Sequence, residues 1–193
     1  ALTVSFSVIK TTTKAMVIVT KYPILKAVDP KLCFSKNILT GIGTLTKSEL
    51  ADRALRKPVA NGSQDFEISN FSDNSITDVI AMANSIEIFY RGTYTPLTSL
   101  DIKGKSIEDL ITEANPDLAN QVDKKLIECL EMVNAIPAPF DWQASQEAEF
   151  GAGPIANAAT ALNELEGLLK EVAREFDIGI RPELSILSGF AEY

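Results

Sequence analysis

The sequence predicts an all-α protein, an up-and-down helical bundle of four or five helices. Apolar residues recur every three or four positions in several long stretches, which is the period of one helix face. Helix-capping residues precede these stretches, and glycine or proline follows them. The connections between most of them are short, as in bundles of antiparallel helices. The N-terminus departs from this pattern and predicts a short β segment.

Residues 1–28 form an N-terminal extension of strand-like character. Residues 2–8 alternate between apolar and polar side chains, which is the period of a strand, and residues 16–19 are mostly β-branched. The direct interpretation is a hairpin or two edge strands. A helix imposed by tertiary contacts is the alternative, because intrinsic propensity is a weak determinant of structure.

The helical domain is expected over residues 29–180, followed by a tail over 181–193. Its first helix is expected to begin at Asp29-Pro30, since proline is favoured at the first helical position. Gly41 and Gly43 are expected to end this helix, because glycine is a poor helix former.

A second helix is expected between Thr46 and Pro58. Thr46-Lys-Ser-Glu49 has the pattern of a capping box, and helices usually end before a proline. Further helices are expected to begin after Asp73, at a second capping box, Ser106-Ile-Glu-Asp109, at Asn115-Pro116 and near residue 154. The apolar stripes of the last two run from Leu118 to Val133 and from Ile155 to Phe176. Phe140 and Trp142 are expected to begin a loop and to pack in the core.

Composition limits the classes of function and of site. The formal net charge is −8, which disfavours binding to nucleic acid. The chain has no histidine, so any metal site built from it alone would use carboxylates and favour a hard cation such as calcium, magnesium or iron. Cys33 and Cys129 lack zinc-site spacing and leave open one disulfide or two buried thiols. No apolar run reaches the length of a membrane span.

The stretch from Gln64 to Asp78 concentrates acidic, hydroxyl and amide side chains just before an apolar helical pattern. Ser72, Asp73 or Asn74 can each act as the N-cap of that helix. Acidic residues at a helix start either satisfy the helix dipole or build a polar site. An ion pair between Asp73 and an arginine of the preceding helix, Arg53, is one arrangement that the sequence allows.

Several motifs, in unbroken order over about residues 37–180, resemble the C-terminal half of imelysin-like proteins. The most specific are Phe71-Ser-Asp-Asn74, Tyr90-Arg-Gly92 and Pro139-Phe-Asp141. The other matching pieces are Ile38–Leu50, Asp52-Arg53, Gln64–Glu67, Gly104–Leu110, Asn115–Ala119 and Phe176–Ile180.

The resemblance implies an all-helical, secreted or periplasmic bacterial protein of the insulin-cleaving or iron-regulated type, in which two bundle halves enclose a polar site. Carried over residue by residue, it implies a ligand-binding set of Arg53, Glu67, Ser69, Ser72, Asp73 and Asp78. Within that set, Glu67, Asp73 and Asp78 are the candidate ligands for iron or another hard cation.

The chain also departs from the family pattern. Ile68 and Ile76 stand where the family often has histidine, and the family's Gly-x-His-x-x-Glu motif belongs to its N-terminal half. A metallopeptidase needs metal ligands and a polarised water, and the sequence offers no convincing set of such ligands.

Three functions follow from the residues and the resemblance. The favoured one is a non-catalytic domain for ligand or iron binding outside the cytoplasm, in the periplasm or the extracellular space. The second is a structural or assembly subunit whose N-terminal strands pair with a partner. The third is half of a metallopeptidase whose histidine motif lies on another chain. The expected partner is a second imelysin-like half or another protein subunit, and not nucleic acid.

Overall fold

The computed structural model describes the backbone of residues 30–96 and 100–176, and the side chains of 36–96 and 100–176. The all-α prediction is confirmed. The helical elements are α1 (Pro30–Thr44), a π-helix (Leu45–Arg56), α2 (Lys57–Asn61), a 3-10 turn (Gln64–Phe66), α3 (Ser75–Arg91), α4 (Ile107–Ala114), α5 (Pro116–Asn134), α6 (Phe140–Phe150) and α7 (Pro154–Glu175). Two short antiparallel strands, β1 (Thr93–Tyr94) and β2 (Ile102–Lys103), lie between α3 and α4.

The segment from α1 to α2 is one continuous helix, so the predicted stop at Gly41 and Gly43 is wrong. Both glycines lie inside α1, and Thr44, which joins α1 to the π-helix, has right-handed helical backbone angles. Leu39 and Ile42, beside the glycines, are buried in the core. Their packing offsets the low helix propensity of glycine, because tertiary contacts supply most helical stability in proteins.

The capping box predicted at Thr46 is also wrong. The Thr46 side chain is buried inside the helix, and its hydroxyl donates to the carbonyl of Ile42 at 2.7 Å. The helix continues past Pro58, the second residue of α2, although proline has no backbone N–H to donate. It ends at Gly62, whose φ of 58° is favourable for glycine and whose N–H donates to the carbonyl of Pro58 at 2.8 Å.

The core is formed where the π-helix, α3, α5 and α7 pack against one another. The apolar stripes predicted for α5 and α7 are the buried faces of these helices. In α7 the buried residues lie on one helix face: Ile155, Ala158, Ala159, Ala161, Leu162, Leu165, Leu169, Val172 and Ala173. This packing holds the π-helix and α3 together along the side that carries the predicted site.

Two predicted helix starts are confirmed. Ser106 and Asp109 form a reciprocal capping box, in which the Asp109 N–H donates to the Ser106 hydroxyl at 3.0 Å and the Ser106 N–H donates to Asp109 at 3.1 Å. Asn115 caps α5, since its side-chain oxygen accepts from the Leu118 N–H at 3.2 Å. Local sequence signals therefore place the starts of α4 and α5.

The region from Phe140 onward forms helix α6, whereas the sequence predicted a loop. Phe140 is buried as expected, but the Trp142 side chain is 57% exposed. Residues two positions apart on a helix point to opposite sides, so both aromatic rings cannot enter the same core. The prediction of a core position for Trp142 is therefore wrong.

Some predictions lie outside the described residues, namely the strand-like segment over 1–28 and the tail over 181–193.

Cys129 is a buried free thiol, and burial raises its pKa to about 12. Within the described ranges, none of the helices combines the length and the apolar character needed to cross a membrane.

Candidate functional site

The predicted acidic stretch forms a loop, residues 62–74, that connects α2 to α3 and is called here the 62–74 loop. Its first part is anchored on α2, because the Lys57 ammonium lies 5.3 Å from the centre of the Phe66 ring. The Ser63 hydroxyl accepts from the Asp65 N–H at 3.3 Å and caps the 3-10 turn. These contacts hold the first part of the loop beside α2.

A groove of about 460 Å³ lies between the π-helix, the 62–74 loop and the first turns of α3. Three of the predicted site residues line it: Arg53 from the π-helix, Ser69 from the loop and Asp78 from α3. The other lining residues are Glu49, Ile68, Ala81, Met82 and Ser85. The groove therefore combines a guanidinium, carboxylates and hydroxyls with a small apolar surface.

Arg53 is available to a ligand. Its side chain is 58% exposed, and its Nη1 donates to Glu49 at 2.9 Å. An exposed pair of this kind contributes little to stability. The ion pair between Arg53 and Asp73 that the sequence allowed is wrong, because Arg53 pairs with Glu49 along its own helix and Asp73 is exposed on the loop.

Asp78 fastens the 62–74 loop to the start of α3. Its Oδ2 accepts a hydrogen bond from the Ser69 hydroxyl, and its Oδ1 accepts from the Asn74 amide at 3.2 Å. A carboxylate in the first turn of a helix is also favoured by the helix dipole. Both oxygens of Asp78 thus face donors of the protein, and the carboxylate is half-buried beside the groove.

Ser75 supports the loop from inside the protein. Its side chain is 1% exposed, and its hydroxyl accepts from the Ser69 N–H at 3.3 Å. Asn74, not Ser72 or Asp73, occupies the N-cap position of α3. The Asn74 side chain bonds to Asp78 instead of capping a backbone N–H.

Ser72 and Asp73 do not line the groove, although the resemblance implied both as ligand-binding residues. Both side chains are exposed, and the Ser72 hydroxyl donates to the Ser69 carbonyl at 3.3 Å. Asp73 has a φ of 51°, in the left-handed region that aspartate tolerates better than most residues. Together they form the turn that leads into α3.

Glu67 is buried and does not line the groove. Burial raises its pKa, the carboxylates of Asp141 and Asp73 raise it further, and the nearby Ser75 hydroxyl acts in the opposite direction. Neither carboxyl oxygen has a hydrogen-bond partner of normal geometry among the described residues. Glu67 is therefore a carboxyl group in surroundings that disfavour its charged form.

The candidate cation ligands Glu67, Asp73 and Asp78 are not gathered around one point. Across residues 36–96 and 100–176, no three carboxylate or thiol side chains are arranged so that they could hold a metal ion. Asp78 lines the groove, Glu67 is buried away from its lining and Asp73 is on the exposed turn. The described residues therefore do not fit a bare cation held by three protein carboxylates.

Sequence reasoning missed Glu49 and Ser75 as parts of the site. The pattern Thr46-Lys-Ser-Glu49 predicts a capping role for Glu49, although its position four residues before Arg53 is a typical spacing for an ion pair on one helix. Ser75 gave no signal, because its role depends on a loop folding back onto the start of α3.

The chain matches the family model described as Imelysin over residues 34–169, which is more than half of its length. The matched range contains every residue that lines the groove. The comparison with curated proteins found no match.

Proposed function

The chain belongs to the imelysin family, and we propose that it acts in the periplasm or outside the cell as a non-catalytic ligand-binding domain in iron acquisition. The observation that carries this proposal is the groove, in which the exposed Arg53 lies on the same surface as Ser69 and Asp78. The absence of histidine supports binding over peptide cleavage by this chain alone.

The groove is suited to a small ligand that carries carboxylate and hydroxyl groups. Within the described part of the chain, the Arg53 guanidinium bonds to Glu49 through Nη1 and forms no other side-chain hydrogen bond. Its remaining N–H groups can bind a carboxylate in the bidentate geometry that arginine favours. Ser69 and Asp78 can bond to a ligand hydroxyl. Since the described residues gather no three-ligand metal group, iron would arrive here as a complex with such a carboxylate, and not as the bare ion.

The proposed partner is a second imelysin-like half or another protein subunit. This rests on the resemblance of residues 37–180 to one half of proteins that consist of two bundle halves. The acidic character of the chain, with a formal net charge of −8, disfavours nucleic acid as the partner.

The test is a titration with ferric citrate, followed by calorimetry and by the thermal unfolding midpoint. At a ligand concentration one hundred times Kd, binding to the folded state should stabilise it by about 2.7 kcal/mol. Arg53→Gln should weaken binding by about ten- to hundredfold, because the loss of a hydrogen bond to a charged group costs about 1.5–3 kcal/mol.

The matched control is Arg56→Gln, an arginine of the same π-helix that pairs with Asp52 and does not line the groove. It should bind ferric citrate like the unchanged chain. Equal affinity of the Arg53 and Arg56 variants, or no stabilisation of the unchanged chain, would refute the proposal.

Calcium chloride and zinc chloride test the bare cation separately, and neither salt should stabilise the chain, because Glu67, Asp73 and Asp78 are not gathered around one point. The double variant Asp73→Asn, Asp78→Asn should abolish any stabilisation by these salts if the two carboxylates hold the ion. Stabilisation that persists in the double variant would rule out this ligand set.

A further inference from the structure

The groove beside the 62–74 loop carries more negative than positive charge. Of the described side chains that line it, Arg53 is the cation, and Glu49 and Asp78 are carboxylates. The chain as a whole also has a formal net charge of −8. A ligand that offers only carboxylates is therefore attracted by Arg53 and repelled by the two acids. This charge pattern favours a ligand that brings a positive group as well.

Both carboxylates of the groove can accept further hydrogen bonds. Glu49 accepts from Arg53 through Oε2 at 2.9 Å, and its side chain is 40% exposed. Asp78 accepts from the Ser69 hydroxyl at Oδ2 and from the Asn74 amide at Oδ1. A carboxylate has about four lone-pair sites, so these contacts leave acceptor positions on both groups. An ammonium group, which only donates, can use them.

The other lining residues limit the size of the ligand and supply an apolar surface. Ala81, Met82 and Ser85 follow Asp78 at spacings of three, four and seven residues and lie on the same face of α3. This face extends over about 10 Å along the helix axis, given the rise of an α-helix. Met82 and Ile68 pack against the core and, with Ala81, form the apolar part of the groove. The groove thus suits a small molecule with one apolar substituent.

We propose that the groove selects zwitterionic ligands, namely free α-amino acids with an aliphatic side chain. The ligand carboxylate binds the Arg53 guanidinium in bidentate geometry. The ligand ammonium, attached to the adjacent carbon, donates to Glu49 and Asp78, and the side chain packs against Met82. The Arg53–Glu49 pair, with its charged atoms 2.9 Å apart, therefore meets a ligand whose opposite charges are also adjacent.

This inference rests on the proposed function, because it uses the same contact between Arg53 and a ligand carboxylate. It narrows the ligand class of the groove to carboxylates that also carry an ammonium group. An iron complex would be selected when its chelator presents such a group beside a free carboxylate.

The experiment is a calorimetric titration of the full chain, without iron, with three probes of related shape. These are L-leucine, L-leucate, in which a hydroxyl replaces the ammonium, and isopentylamine, which lacks the carboxylate. Leucine should bind about tenfold more tightly than leucate, because each of the two partly exposed carboxylates should contribute about threefold. Isopentylamine should bind more weakly than leucine, since it has no group for Arg53.

Glu49→Gln tests the role of the carboxylates. Its side-chain oxygen can still accept from Arg53, but its negative charge is lost. The preference for leucine over leucate should therefore fall by about threefold. The control is Asp65→Asn, which removes an exposed carboxylate of the 62–74 loop that does not line the groove and should keep the full preference.

Equal affinity for leucine and leucate in the unchanged chain, or no binding of leucine at millimolar concentration, would overturn the inference, and neither result needs a variant to fold. A preference that stays the same in Glu49→Gln would overturn it as well. A chain that binds ferric citrate but does not distinguish leucine from leucate would keep the proposed function and lose the selection of zwitterions. A chain that prefers leucine but does not bind ferric citrate would keep the selection and lose the proposed role in iron acquisition.

Discussion

At the scale of single residues, Glu147 of α6 stabilises the start of a different helix, α7. Its side chain is 1% exposed, and its two oxygens accept from the N–H groups of Ile155 and Ala156, each at 2.8 Å. The N-cap residue of α7 is Gly153, which has no side chain to do this. A Cβ at Gly153 would lie 2.4 Å from the Glu147 side chain, so glycine leaves the space that the carboxylate occupies.

Replacement of Glu147 by glutamine should destabilise the protein by about 2–3 kcal/mol. Glutamine has about the same shape, but its amide nitrogen cannot accept from a backbone N–H, which leaves one buried donor of α7 unpaired. Urea unfolding followed by helical circular dichroism measures the change. The control is Glu149→Gln, an exposed carboxylate of the same helix, and equal unfolding midpoints for the two variants would contradict the assigned role.

At the scale of elements, the first long helix differs most from the sequence prediction. Wider turns in the π-helix bring Lys47 and Asp52, five residues apart, into an ion pair of 2.9 Å. Arg56 also donates to Asp52, at 3.1 Å. The same backbone places Arg53 and Glu49 on the side that lines the groove. The element therefore combines a buried face with the charged face of the candidate site.

Substitution of Gly41 or Gly43 by alanine should stabilise the protein by about 0.5–1 kcal/mol each. Both glycines lie within a right-handed helix, and a Cβ at either position would meet no atom within 4 Å. If a helix ended at these glycines, as the sequence predicted, alanine would instead be destabilising. Thermal and urea unfolding distinguish the two outcomes.

Gly62→Ala is the matched comparison for this series. Gly62 has a φ of 58°, and a Cβ there would lie 3.3 Å from the Cβ of Ala148. Alanine in this conformation costs about 1–2 kcal/mol. Alanine should therefore raise the free energy of unfolding at Gly41 and Gly43 and lower it at Gly62. A change of the same sign at all three positions would contradict a helix that runs through Gly41 and Gly43 and ends at Gly62.

At the scale of the whole molecule, Arg91 connects three helices. It pairs with Glu87 of α3 at 3.0 Å, with Glu108 of α4 at 2.7 Å and with Asp123 of α5 at 3.3 Å. The arginine is 23% exposed, so solvent screens these pairs less than it screens surface ion pairs. Arg91 is the arginine of the Tyr90-Arg-Gly92 motif, and its ion pairs hold α3 against α4 and α5.

Arg91→Ala should lower the free energy of unfolding by about 2–3 kcal/mol, because three carboxylates would be left without their shared cation. Arg91→Lys should recover only part of this loss, since an ammonium cannot reproduce the planar geometry of the guanidinium. Arg174→Ala, at an exposed arginine in the last turn of α7, should change stability by less than about 0.5 kcal/mol. Equal losses for the variants of Arg91 and Arg174 would contradict the importance of the network.

Features that depend on neighbouring residues were predictable from the sequence. The stripe from Leu118 to Val133 and the capping box at Ser106 are confirmed, because helix periodicity and cap hydrogen bonds connect residues only three or four positions apart. The predictions of a capping box at Thr46 and of a loop at Phe140 are wrong. Inside a packed helix, a threonine hydroxyl can bond to the preceding turn, as Thr46 does, and an aromatic residue can be buried, as Phe140 is.

The candidate site was predictable in its residues but not in its geometry. The resemblance identified Arg53, Ser69 and Asp78, which line one groove, together with Ser72 and Asp73, which do not. Spacing along the chain cannot separate these two groups. Whether a loop residue faces the groove, solvent or the interior depends on how the 62–74 loop folds against α3.

The sequence by itself determined the all-α class, the buried faces of α5 and α7, the starts of α4 and α5, and the family of the chain. Each of these depends on patterns of a few residues or on their order. Only the tertiary structure decided that the first helix continues through two glycines and a proline, that Arg53 pairs with Glu49, and that Glu67 is buried without a counter-charge. These outcomes depend on packing between distant segments, which sets the local dielectric environment and can override local propensity.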